Sequence, residues 1–187
     1  MGGIKKVLII SNSRSGSKNI MISFHKYLGV RYRAEPWNYS IPKQNRSIEI
    51  EDEIVLKTLA DQSPEGMDLD LLYETIIPKF DLVILLSRKN RQEVYESFQH
   101  FVNEGIDWHS EWEKKDDMDI SEGVKNAVDN QYICIDKVRD RYNIPITWYE
   151  DLYSGDYDTF KEVTKGWGID TEVFFDYFNP NNRLRKN

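Results

Sequence analysis

Cysteine occurs once, at Cys134. A lone cysteine excludes an intrachain disulfide and any cysteine-built metal cluster, and it suits a reducing compartment. Positive charge is also short: 25 Lys and Arg stand against 32 Asp and Glu, a net charge of −7. That balance argues against general nucleic-acid binding, which leaves a basic footprint, so any basic surface must be local. No apolar run approaches the length of a membrane span. The first residues lack a signal-peptide pattern, since Lys5 and Lys6 precede only four clearly apolar residues before Ser11. Internal repeats and low-complexity tracts are missing as well. The expectation is a soluble, cytoplasmic chain with no membrane span and no nucleic-acid partner. At 187 residues, 40% of them hydrophobic and 13% aromatic, it is long enough for one domain with a real core.

The richest stretch is residues 5–28. Val7, Leu8, Ile9 and Ile10 form a short apolar run, as in a central strand of a parallel sheet. Residues 11–17, SNSRSGS, carry almost no apolar surface. Ile20, Met21, Phe24, Tyr27 and Leu28 then recur at helical spacing. A strand feeding a helix through small residues gathers backbone N–H groups and a helix dipole, which favour an anion. Gly16 permits close approach of the backbone, and Arg14 offers a planar fork for phosphate or sulfate oxygens. This is not a Walker A loop, which requires G-x-x-x-x-G-K-[ST]. Ser11 stands at the first glycine and the lysine falls one place late, as Lys18. The plainer reading is an ordinary strand-to-helix turn capped by Ser17.

Further along, residues 30–34 read as a short second strand ending at Glu35-Pro36-Trp37-Asn38, with extended backbone favoured before the proline. Residues 38–47 are loop. Residues 48–59 read as a helix with Ile50, Ile54 and Leu56 inward, against a high local charge. Residues 61–67 are loop and 68–79 helical. Residues 81–87, DLVILLS, are the second strong strand, followed by a helix over 90–103. Residues 104–119 are acidic, carry Trp108 and Trp112, and form either an exposed excursion or a lid. A long helix over 120–142, a strand over 144–149 and a helix over 157–167 ended by Gly168 complete the pattern. The tail from 178 is polar and basic. Helices alternating with short apolar strands imply an α/β fold around a parallel sheet. Ligands of such sheets sit beyond the carboxyl ends of the strands. That rule gathers the 14–17 turn and the segments after Ser87 and after Trp148. Arg88 lies at a strand's carboxyl end and Ser97 about two turns along the next helix, so an arginine and a serine can clamp a phosphate there. Otherwise Arg88, Lys89 and Arg91 are solvated charges near a helix start, a placement that opposes the helix dipole.

These residues carry a resemblance. Ser13-Arg14-Ser15-Gly16-Ser17, Ala34-Glu35-Pro36-Trp37-Asn38, the run from Leu85 to Arg91 with Ser97, and Thr147-Trp148-Tyr149-Glu150-Asp151-Leu152 occur in that order. Together they resemble the motifs of sulfotransferases that use 3′-phosphoadenosine 5′-phosphosulfate (PAPS), of the bacterial type. Ala34–Asn38 resembles the G-E-P-F-N segment, with Trp37 in place of phenylalanine, and Gly168-Ile169 sits where L-G-I is common. The resemblance implies one domain over 1–187, a three-layer sandwich with a central parallel sheet, P-loop NTPase-like. It implies PAPS as co-substrate, no metal, and a small-molecule or carbohydrate acceptor. Arg14, Ser15, Gly16, Ser17 and Lys18 would hold the 5′-phosphosulfate, with Arg14 neutralising charge on the transferred group. Arg88 and Ser97, with Arg183 from the tail, would hold the 3′-phosphate. Glu35 would be the general base if burial raises its pKa, and Trp37 and Trp108 would face the acceptor. Two other readings stay open: a small-molecule kinase of P-loop type, and a non-catalytic nucleotide-binding or assembly module.

Overall fold

The computed structural model describes residues 3–38, 50–64, 66–104 and 119–178, leaving aside the side chain of Glu104. The acidic stretch with Trp108, and Arg183 in the tail, fall outside these residues.

Five strands form one parallel sheet: β1 (Lys6–Ser11), β2 (Arg31–Ala34), β3 (Ile54–Leu59), β4 (Leu82–Ser87) and β5 (Ile146–Trp148). Their order is β2-β3-β1-β4-β5, distinct from the 2-1-3-4-5 and 3-2-1-4-5-6 orders of the common doubly wound sheets. Val7, Leu8, Ile9 and Ile10 of the central strand are all fully buried, as an apolar run covered on both faces requires.

One face packs against α1 (Ser17–Leu28), α5 (Tyr149–Leu152), α6 (Tyr157–Thr164) and α7 (Thr171–Tyr177). Its core joins Val7, Ile9 and Val55 to Ile20, Phe24, Phe160 and Phe174. The other face packs against α2 (Leu69–Ile76) and α4 (Glu122–Tyr142), joining Leu8, Ile10 and Leu56 to Leu72, Tyr73, Ile135 and Val138. The architecture is α/β with helices on both faces of the sheet, a three-layer arrangement. A smaller cluster seats α3 (Arg91–Glu104) on α4 through Val94, Val124 and Val128. No helix among the described residues is long and apolar enough to cross a membrane.

Two expectations change. Residues 54–59 form strand β3, not a helix, and Lys57 lies on it with only 6% of its surface exposed. Tyr149 opens α5 instead of ending β5. The topology also fixes where a ligand would sit. The chain leaves β1 toward β2 on one side and leaves β4 toward β5 on the other, so the order reverses between the adjacent strands β1 and β4. A crevice at such a reversal, beyond the carboxyl ends, is the favoured ligand position.

Candidate anion site at the carboxyl edge of the sheet

The turn after β1 is tied down by its neighbours. The Asn12 N–H donates to the Leu86 carbonyl at 3.2 Å, and the Ser87 hydroxyl donates to Asn12 Oδ1 at 2.5 Å. The Ser13 N–H donates to Gln131 Oε1 of α4 at 2.8 Å, and the Ser15 hydroxyl to the Asn12 carbonyl at 2.8 Å. Arg14 (φ 61°) and Gly16 (φ 73°) both take left-handed backbone. Turns of this kind make concavities lined by N–H groups that bind anions. Gly16, not Ser17, is the N-cap of α1, and no side chain caps it. The N–H groups of Ser17 and Lys18 therefore open the helix with no intrahelical partner. Ser17 is buried and Lys18 exposed.

Glycine is required at position 16 on two counts. Its φ is positive, and a Cβ there would lie 2.9 Å from Tyr149 Cε2 and 2.9 Å from the Tyr153 hydroxyl oxygen. Tyr153 donates its hydroxyl to the Gly16 carbonyl at 2.9 Å and stacks on Tyr149 with ring centroids 4.4 Å apart. The Tyr149 ring in turn carries the Arg88 guanidinium 4.3 Å from its centroid. One tyrosine thus touches both the loop and the arginine that follows β4.

The Arg14 Nε donates to Ser97 Oγ at 2.6 Å. Burial pulls the Arg14 guanidinium below its ordinary pKa, and the like charge of Arg88 adds to that. So Arg14, Arg88 and Ser97, 83 positions apart at the extremes, meet at the β1–β4 reversal. Ser97 binds Arg14, however, where pairing with Arg88 on one phosphate was expected. Arg88 is held by Glu93 at 2.7 Å and approached by Glu150 at 3.7 Å, while its buried Nε has no hydrogen bond. Glu150 accepts from the N–H groups of Lys89 at 2.9 Å and Asn90 at 3.2 Å, capping the start of α3 from another element. Lys89 and Arg91 belong to surface pairs with Asp151 and Asp129. A pocket of about 300 Å³ opens beside Arg88, lined also by Ser87, Arg91, Tyr132 and Trp148.

A second polar group gathers at the ends of β2 and β3. Glu35 follows β2 with φ 47°, left-handed where extended backbone was expected before the proline, and its N–H donates to the Lys57 carbonyl at 2.6 Å. Its Oε1 pairs with the Lys57 ammonium. Its Oε2 accepts from Asn38 at 2.9 Å and from Gln62 at 3.4 Å. Burial would raise the Glu35 carboxyl, but the Lys57 charge and these hydrogen bonds outweigh it and hold the carboxyl below the usual glutamate value. The expected upward tuning is therefore reversed. Burial draws the Lys57 ammonium down, while the Glu35 carboxylate opposes it and the nearby Lys18 charge reinforces it. Asp61, two residues beyond β3, accepts from Gln131 Nε2 at 3.4 Å. Gln131 thus links Asp61 to the Ser13 N–H.

Trp37 is fully buried among Leu8, Ile10, Leu56 and Leu72. Its ring is core, which corrects the expectation that it faces an acceptor. Trp108 and Arg183 lie outside the described residues. The sequence reading missed Lys57, Asp61, Gln62 and Gln131. Lys57 left a trace, a charge inside the otherwise strand-like run IVLKTL, and so did Gln131, an amide in the inward register of the long helix with Val128 and Ile135. Compared with known proteins, the chain matches no family model, no curated protein and no solved structure.

Proposed function

We propose that the chain binds PAPS at the β1–β4 reversal and transfers its sulfuryl group to an acceptor hydroxyl or amine, on a P-loop NTPase-like scaffold. The observation that carries this reading is the meeting of Arg14, Ser97 and Arg88 beside the loop N–H groups. The Arg14 guanidinium, lowered by burial and by the Arg88 charge, is relieved by an anion between the two. A donor with phosphate groups at both ends of its ribose suits a site with two cationic ends.

In this scheme the N–H groups of Ser15, Gly16 and Ser17 hold the 5′ end, and Lys18 stands at the mouth. Arg14 neutralises charge on the sulfuryl oxygens, while Arg88, set on Tyr149, takes the 3′-phosphate. The transferred group carries spread negative charge, as in phosphoryl transfer, so positioning and charge stabilisation supply most of the catalysis. Two half-buried carboxylates, Glu35 and Asp61, stand at the same edge, and the reaction needs a group that takes the acceptor's proton. The test follows radiolabelled sulfur from PAPS into an acceptor panel of simple alcohols, sugars and amines. Transfer that is lost in Arg14→Ala supports the reading; a label that stays on the donor with every acceptor class overturns it.

A further inference from the structure

Glu35 is poorly placed to take a proton. Lys57 occupies Oε1, and Asn38 and Gln62 occupy Oε2. A carboxylate held by three donors is stabilised in its charged form and is a weak base. Protonating it would break the pair with Lys57, whose side chain is only 7% exposed.

Asp61 is arranged differently. Its Oδ2 accepts the Gln131 amide at 3.4 Å, and its Oδ1 is buried with no hydrogen-bond partner among the described residues. An orphaned buried carboxylate oxygen is costly, and natural folds keep few of them. Its place in the fold gives that cost a use. Asp61 follows Ala60, whose N–H donates to the carbonyl of Ser11 at 3.0 Å, where β1 gives way to the anion loop. Its side chain shares Gln131 with the Ser13 N–H at 2.8 Å. The carboxylate is thus anchored to the loop through one glutamine, with one oxygen unspent.

We propose that Asp61 is the catalytic base that takes the acceptor's proton during transfer, a role that rests on the sulfuryl-transfer reading. The acceptor oxygen forms its bond to sulfur as the bond from sulfur to the 5′-phosphate oxygen breaks. The electron pair leaves with adenosine 3′,5′-bisphosphate, and the acceptor proton moves to Asp61 Oδ1. Gln131 is the positioning residue, since it fixes Oδ2 and leaves Oδ1 without a hydrogen-bond partner among the described residues. The groups that face Asp61 come from every neighbouring element: Lys57 from β3, Glu35 from the end of β2, Tyr73 from α2, and Cys134 and Gln131 from α4. Burial raises the Asp61 carboxyl above the usual aspartate value; Gln131, the residue's own backbone N–H and Lys57 oppose this, while Glu35 adds to it. That is the direction a base working near neutral pH requires.

The test measures bisphosphate release from PAPS, with water or simple alcohols as acceptors, in the wild type, Asp61→Asn and Glu35→Gln, alongside calorimetric binding of the bisphosphate. Asparagine can still accept from Gln131, so the fold survives the change. Asp61→Asn is expected to lower turnover by about 10² to 10⁴-fold, to abolish the acid limb of the pH–rate profile, and to leave bisphosphate affinity unchanged. Turnover and pH profile like the wild type's in Asp61→Asn, with both lost in Glu35→Gln, would overturn the role of Asp61 while leaving sulfuryl transfer standing. A wild type that neither binds the bisphosphate nor releases it would overturn both. A carboxyl-detected NMR titration of the wild-type chain supplies an independent check: Asp61 is expected to titrate above the ordinary aspartate value of about 3.9, and titration at or below that value would overturn the assignment whatever the turnover.

Discussion

Replacing Gly16 by alanine places one methyl group at the junction of loop and tyrosine stack. The left-handed backbone at φ 73° costs a non-glycine residue about 1–2 kcal/mol. The new Cβ would also lie 2.9 Å from both Tyr149 and Tyr153, the latter bonded to the Gly16 carbonyl. Forcing a methyl into a packed site adds roughly 1–3 kcal/mol. The sum, about 2–5 kcal/mol, is a large part of a typical domain's 5–15 kcal/mol. At a urea slope of about 2 kcal/mol per M, the unfolding midpoint should fall by roughly 1–2.5 M. Binding should weaken as well, because Tyr149 carries Arg88. Loss of one charge-assisted contact, about 1.5–3 kcal/mol, lowers bisphosphate affinity roughly 10- to 150-fold. Gly155→Ala is the control: its φ is 81° but nothing lies within 4 Å of the added Cβ. It should show the backbone cost alone and no change in affinity. Urea unfolding and calorimetry read both effects. Equal midpoint shifts in the two variants, or unchanged affinity in Gly16→Ala, would refute the role given to the tyrosine stack.

The buried pair makes its own predictions. Lys57→Met strands the Glu35 carboxylate and should cost about 3–5 kcal/mol in urea unfolding, whereas Glu35→Gln with Lys57→Met together should recover most of that loss. Because the Glu35 carboxyl is held below its ordinary value, it adds stability that is complete above the unfolded-state pKa and is lost as pH falls through the folded value. The acid loss of stability should therefore flatten in Glu35→Gln. For Asp61 the sign is opposite, since its carboxyl is raised. Asp61→Asn should be more stable than the wild type at pH 7 by urea midpoint, with the gain fading as the pH falls through the raised folded value and gone below the unfolded aspartate value of about 3.9.

Strands β1 and β4 were legible because a strand buried on both faces must be apolar through its middle, and VLII and LVILL are. Strand β3 was not. Lys57 interrupts its apolar run, and only the fold reveals that Glu35, from the neighbouring strand's end, accepts the charge. The β-branched Ile54, Val55 and Thr58 were the local signal for strand over helix. The placement of Arg14 and Arg88 followed from the rule for strand ends, and the structure brings them together. The contact of Ser97 with Arg14 depends on how α3 is set on α4, which local pattern does not encode. Trp37 shows the opposite failure: its motif position suggested a ligand, but the turn after β2 folds the ring into the core.

The most direct test of the account is calorimetric binding of adenosine 3′,5′-bisphosphate against 5′-AMP and ATP, with and without magnesium, in the wild type and Arg88→Ala. Preference for the bisphosphate that needs no magnesium and collapses to the 5′-AMP level in Arg88→Ala is the predicted result. Preference for ATP that depends on magnesium, or equal affinity for bisphosphate and 5′-AMP, would contradict it.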